Sequence, residues 1–322
     1  MKTIVTGGAG FIGSALVWRL NELGHDDILI VDRHDETGKE RNLEPLKFTD
    51  FVDADEFIGD LAKYKNTDAI LHMGANSSTT ATDREYMMGN NFEYTRRLAE
   101  FSVQNGIRFI YASSAATYGD GSEGMEDGVE SLDKLKPLNL YGESKHLLDK
   151  YAAEKGWFAQ IVGLKYFNVF GPNENHKGDM RSLVNKAFDQ INETGKLKLF
   201  KSANPDYADG EFGRDFVYVK DAVEMTLFFL DNKIGGLFNV GSGRMYSWNA
   251  LADAIFKALD LSKNVEFIDM PENLRERYQY HTEADLQRIR NAGYTSEITL
   301  LDKAVANYVQ NYLRPRRYLG ER

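Results

Sequence analysis

The 322-residue sequence predicts an α/β fold, a doubly wound parallel sheet joined to a smaller, mainly C-terminal α/β unit. Three observations lead there. Short apolar, β-rich runs alternate with helical patterns through the first half, as βαβ units require. A glycine-rich segment stands between the first strand and the first helix. Beyond residue 168 the alternation gives way to loops and polar stretches, where a second unit is expected to begin.

Taken in order, strands are expected at residues 3–5, 28–31, 69–72 and 109–112, with one helix opening near residue 11 and another over 93–104. A long helix is expected over 140–153 and a strand over 161–166. Residues 172–179 read as a loop, 183–191 as a helix and 202–213 as a polar stretch. The runs 215–219 and 237–240 read as strands again, so the chain is expected to return to the first unit before leaving it. The resulting partition gives residues 1–167 to the sheet domain, with a return at about 214–242. Residues 168–213 and 243–322 form the interleaved smaller domain.

A hydrophobic content of 42% supplies a substantial core. No apolar run approaches the roughly 18 residues of a membrane span, and residues 1–2 lead into a strand without a signal-peptide pattern, so a cytoplasmic address is expected. The absence of cysteine excludes disulfides, thiolate metal ligands and a cysteine nucleophile. A formal charge of −10 argues against a nucleic-acid partner. It leaves room for a phosphate-bearing small molecule held by local cations and backbone N–H groups. The six histidines show no metal-ligand spacing, so no metal is expected, and His72 reads as a packed or hydrogen-bonded residue.

The segment Thr6-Gly7-Gly8-Ala9-Gly10-Phe11-Ile12-Gly13 follows a predicted strand and opens a predicted helix. In that context Gly7, Gly10 and Gly13 form the dinucleotide fingerprint of a Rossmann domain. Glycines permit a tight turn and close approach to a pyrophosphate, and the helix N-terminus favours its charge. Asp32 ends the second strand about 20 residues on, where a carboxylate receives ribose hydroxyls. Arg33 and Lys39 follow it, and two cations there favour NADP over NAD by offering partners to a 2′-phosphate.

Tyr141 and Lys145 stand at i and i+4 on the long helix and therefore share a face. An ammonium beside a phenol favours the phenolate and brings its proton toward the working pH. The run Phe109-Ile110-Tyr111 leads into a hydroxyl-rich segment containing Ser114, at the strand end where doubly wound sheets bind ligands. Ser114 is the natural partner of a substrate hydroxyl or carbonyl.

These motifs resemble the extended short-chain dehydrogenases that act on nucleotide sugars, as does Arg214-Asp215-Phe216-Val217-Tyr218-Val219. Further stretches are similar to the ADP-L-glycero-D-manno-heptose 6-epimerase family: Gly74-Ala75-Asn76-Ser77-Ser78-Thr79-Thr80, Tyr86-Met87-Met88, Tyr166-Phe167-Asn168-Val169-Phe170-Gly171-Pro172, His176-Lys177-Gly178 and Arg277-Tyr278-Gln279. The resemblance implies inversion at carbon 6 of ADP-heptose, supplying heptose to the lipopolysaccharide inner core, by a homo-oligomer with five copies as the candidate assembly. It implies that Phe11, Ile12, Asp32, Arg33, Lys39, Met73, Gly74, Ala75, Asn76, Ser77, Asn90, Lys145, Val169 and Lys177 surround NADP. It implies that Asn168, Asp179, Lys186, Phe200, Lys201, Ser202, Ala203, Arg214 and Tyr278 face the substrate, with Arg214 on its phosphates. Lys177 enters as a second acid–base group beside Tyr141 on the resemblance alone. The chain departs from the family pattern in a longer stretch at 202–213, in Asp179 where a serine is usual, and in Asn76 where a smaller residue is usual.

Two other functions stay open. A related dehydratase or carbon-4 epimerase shares the Ser, Tyr and Lys set, although a dehydratase needs an acid pair beside Ser114, where Thr117 and Tyr118 stand. A non-catalytic NADP-binding protein would need neither Ser114 nor Tyr141 with Lys145.

Overall fold

The structure is a computed structural model and describes residues 1–275 and 278–321. Its strands are β1 (Thr3–Thr6), β2 (Ile28–Asp32), β3 (Asp50–Asp53), β4 (Ala69–His72), β5 (Arg108–Ser114), β6 (Val162–Tyr166), β7 (Asn168–Phe170), β8 (Leu197–Phe200), β9 (Gly213–Tyr218), β10 (Gly236–Val240), β11 (Met245–Ser247) and β12 (Val265–Ile268). Seven of them form one sheet in the order β10-β6-β5-β4-β1-β2-β3. Every pairing in that sheet is parallel.

The central strands read as unbroken apolar runs because helices cover both faces and leave neither to water. Ile4, Leu29, Val31, Ile70 and Phe109 pack to one side with Leu98 and Leu148. Val5, Ile30, Leu71 and Ile110 pack to the other with Leu16, Val17 and Leu20. Since β1 has β2 on one side and β4 on the other, the strand order reverses there. Such a switch opens a crevice at the C-terminal strand ends.

The remaining strands build two small sheets, β11-β9-β7 and β12-β8. Residues 214–218 run in β9, paired with β7 and β11, and the chain rejoins the main sheet's layers through the helix Val219–Phe228 and β10. Strands β3, β7, β8, β11 and β12 have three or four residues each and carry no alternation long enough to read from sequence.

Candidate active site

A cavity of about 1150 Å³ opens between the C-terminal edge of the main sheet and the small sheets. Its size exceeds that of an ordinary single-ligand pocket, and a dinucleotide with a nucleotide sugar would fill it.

Gly7 holds φ at +66°, and a Cβ there would stand 2.6 Å from the Gly74 backbone nitrogen. A Cβ on Gly13 would collide with the Gly7 carbonyl oxygen. The helix Phe11–Glu22 starts at Gly10 with no side-chain cap and no acidic residue in its first turn. Its leading N–H groups are left for an anion, so the cradle fits a dinucleotide diphosphate. Phe11, Ile12, Met73, Ala75, Ser77 and Val169 line the same wall. Asn76 lies there too, and the buried Asn91 clamps its backbone by accepting from Asn76 N at 2.9 Å and donating to Asn76 O at 2.9 Å. Asn91 sits in a π-turn over Met88–Glu93, a distortion that sequence periodicity does not disclose.

At the end of β2 the Asp32 carboxylate accepts the N–H groups of Ala9 at 3.0 Å and Arg33 at 2.8 Å. Lys39 reaches it at 3.1 Å and also pairs with Asp35. Burial disfavours the Lys39 ammonium, but the two carboxylates outweigh that and raise its pKa. Arg33 donates to Asn90 Oδ1 at 2.7 Å and Asp55 Oδ1 at 2.9 Å, which fixes its guanidinium on the cavity wall.

Asn139 starts the helix Leu140–Glu154 by accepting from Gly142 N at 2.8 Å. A Cβ on Gly142 would stand 2.6 Å from the Ala116 carbonyl oxygen, so glycine lets the helix abut the turn after Ser114. That contact faces Tyr141 toward Ser114. Lys145 is 2% exposed, donates to the Ala112 carbonyl at 2.7 Å, and holds its Nζ 6.0 Å from the Tyr141 ring centre. Burial lowers its pKa to about 8, against the opposing pull of Asp149. Burial raises the Tyr141 pKa, and the Ser114 hydroxyl pulls it down.

Beneath this set His72 is buried and neutral. Thr95 Oγ1 gives its proton to Asn91 O at 2.6 Å and so accepts from His72 Nε2 at 2.8 Å, leaving Nδ1 to accept from Thr6 at 2.5 Å. Burial, reinforced by the Lys145 charge, lowers its pKa to about 3.

Across the cavity a tight turn over Asn175–Met180 carries Lys177, whose Nζ lies 5.1 Å above the Phe11 ring centre. Burial lowers the Lys177 pKa, opposed by Glu174. Asn168, Lys186, Phe200 and Tyr278 also line the cavity. Arg214 does not reach its surface. It lies 4.9 Å behind the Tyr278 ring and donates to the Gly213 carbonyl at 2.9 Å. Asp179, Lys201, Ser202 and Ala203 fall outside the lining. Asp179 is exposed, Lys201 pairs with Asp269 at 3.0 Å, and Ser202 closes a local turn on Asn204 and Asp209. Arg277 lies outside the described residues. Sequence reading missed Phe212, just before β9, Phe216 on β9, and Trp248 and Leu251 on the helix Trp248–Ala258, which also line the cavity.

A doubly wound sheet with a glycine cradle at its switch point defines a dinucleotide-binding protein. The chain belongs to the NAD dependent epimerase/dehydratase family, whose profile matches residues 3–241. It is 50% identical over 316 residues to an ADP-L-glycero-D-manno-heptose-6-epimerase of Nitratidesulfovibrio vulgaris strain DP4, covering 96% of this chain and 97% of that one. A Fusobacterium nucleatum protein of the same name is 47% identical over 323 residues, with 96% and 97% covered. The crystal structure of the Helicobacter pylori ADP-L-glycero-D-manno-heptose-6-epimerase superposes with a TM-score of 0.79 at 26% identity, covering 96% of this chain and 95% of that one. These relatives set the chain among the isomerases of its family.

Proposed function

We propose that this protein inverts carbon 6 of ADP-D-glycero-D-manno-heptose to give ADP-L-glycero-D-manno-heptose, with NADP, for the lipopolysaccharide inner core. The substrate rests on one observation, the identity of 47–50% over nearly the whole chain to relatives bearing that name. NADP is supported by the Asp32 carboxylate being engaged by its own backbone and Lys39, while Arg33 and Lys39 stand on the cavity wall. The family resemblance adds a cytoplasmic homo-oligomer, with five copies as the candidate assembly.

A nicotinamide dinucleotide held by the glycine cradle would supply reversible hydride transfer at carbon 6, with a 6-keto sugar between the two transfers. Tyr141 takes the hydroxyl proton as phenolate, supported by the Lys145 ammonium and oriented by Ser114. Carbon 6 lies outside the ring, so rotation about the bond joining it to the ring presents the opposite face. The carbonyl oxygen then points elsewhere, and Lys177, whose ammonium burial disfavours, supplies the proton there. Thr117 and Tyr118, beside Ser114 where a dehydratase needs its acid pair, are turned to the Ser114 carbonyl at 2.8 Å and to Asn239 at 2.7 Å.

Incubation with ADP-D-glycero-D-manno-heptose, read by NMR at carbon 6, tests the proposal. Inversion is expected. Inert ADP-heptose with turnover of a UDP or dTDP sugar would move the assignment elsewhere in the family.

A further inference from the structure

Four arginines, Arg41, Arg181, Arg316 and Arg317, line a second cavity of about 450 Å³ behind the Lys177 turn. Among the described residues only Arg181 has a carboxylate partner, Asp189 at 2.8 Å. Arg41, Arg316 and Arg317 have no carboxylate partner among the described residues, and the one carboxylate in the lining, Asp189, is taken by Arg181. Its floor is built from buried polar groups. Asn185, 2% exposed, donates to the Tyr308 hydroxyl at 2.7 Å and accepts from Arg181 at 2.8 Å. Arg41 stacks 4.9 Å from the Tyr318 ring centre, which fixes one guanidinium on the rim.

We propose that this cavity is a second anion site, taking a small molecule that carries a phosphate chain. Guanidiniums bind pairs of phosphate oxygens through parallel N–H donors, and several converging on one concavity match a di- or triphosphate better than a single carboxylate. The volume falls within the range of small-molecule pockets. A concave, polar-floored pocket fits a compact ligand, whereas a macromolecular partner would need a wider face.

The site bears on the active site through one segment. Arg181 lines both cavities, and the chain from Pro172 to Arg181 forms the wall between them, with Lys177 on one side and Asn175 on the other. An anion that draws Arg181 away from Asp189 changes the C-terminal anchor of the Lys177 turn. Occupancy is therefore expected to alter turnover as well as to register as binding.

Calorimetric titration of pyrophosphate into the full chain holding its nicotinamide cofactor tests this. Binding is expected, weakened roughly tenfold or more in Arg316→Ala/Arg317→Ala, the loss of at least one charge-assisted contact. Both side chains are exposed, so the variant is expected to fold, which circular dichroism checks. Arg214→Ala removes any pyrophosphate bound through the main cavity, and the loss caused by Arg316→Ala/Arg317→Ala is expected to persist in that background. A protein that binds no pyrophosphate, or an isotherm that the double variant leaves unchanged, overturns the proposal. If pyrophosphate does not bind and the double variant sediments as a smaller species, the patch is an interface between copies, which overturns it equally.

Discussion

Arg214 is a cation buried 4.9 Å behind an aromatic ring, with no carboxylate partner among the described residues. Burial lowers its pKa. The adjacent Asp215 is no partner, because its carboxylate already accepts from Ser242, Gly243 and Ala284. A desolvated guanidinium without a counter-charge is costly, and a substrate diphosphate admitted by movement of Tyr278 would offset that cost. Arg214→Ala is expected to weaken substrate binding by roughly tenfold or more while leaving cofactor affinity unchanged, as calorimetry reads. A loss confined to thermal stability would make it structural. His72 carries a second prediction. Its folded pKa is about 3, against 6.5 ordinarily. Between those values the unfolded chain binds a proton that the folded chain refuses, so stability falls as pH falls, by up to about 1.4 kcal/mol per unit. Urea unfolding of His72→Gln at pH 7 and pH 5 should show a shallower loss than the parent. An equal loss would contradict a buried neutral imidazole.

At the scale of elements, the long helix is tied to the sheet by a buried polar cluster. Asp149 accepts from Tyr111 at 2.8 Å and Ser113 at 2.7 Å on β5, and pairs with Lys165 of β6 at 3.3 Å. Lys165 in turn donates to Thr117 at 2.6 Å. Asp149→Asn leaves that ammonium buried and unpaired, and a loss of about 3–5 kcal/mol on unfolding is expected. Adding Lys165→Met should restore much of it, and a double variant no more stable than the single one would show that the charge was not the cause. None of this cluster was legible in the sequence, because its members lie far apart along the chain. The glycine cradle was legible, since Gly7 to Gly13 are contiguous and their chemistry is local. So was the Tyr141 and Lys145 pair, set by helical spacing alone. Lys177, Phe216, Trp248 and Leu251 needed either family resemblance or the fold itself, for they meet the cradle only through tertiary packing. The stretch after Phe200 shows the limit: Lys201 pairs with Asp269 and Ser202 closes a local turn, neither of them lining the cavity, while Phe212 at the far end returns to it.

At the scale of the whole molecule, the two groups proposed for proton transfer line one cavity. Tyr141 comes from the sheet domain's long helix, and Lys177 from the turn that follows β7. Tyr141→Phe and Lys177→Met should each reduce epimerisation by roughly 10²–10⁴-fold and leave the cofactor bound. A Lys177→Met protein with normal turnover would leave Tyr141 serving both half-reactions. The central claim is that the hydrogen removed from carbon 6 returns to it on the opposite face. The reaction of ADP-D-glycero-D-manno-heptose run in D₂O and followed by NMR tests it directly. Carbon 6 is expected to be inverted and to keep its original hydrogen, with no deuterium at that position. Deuterium at carbon 6, or no inversion at all, would contradict the claim.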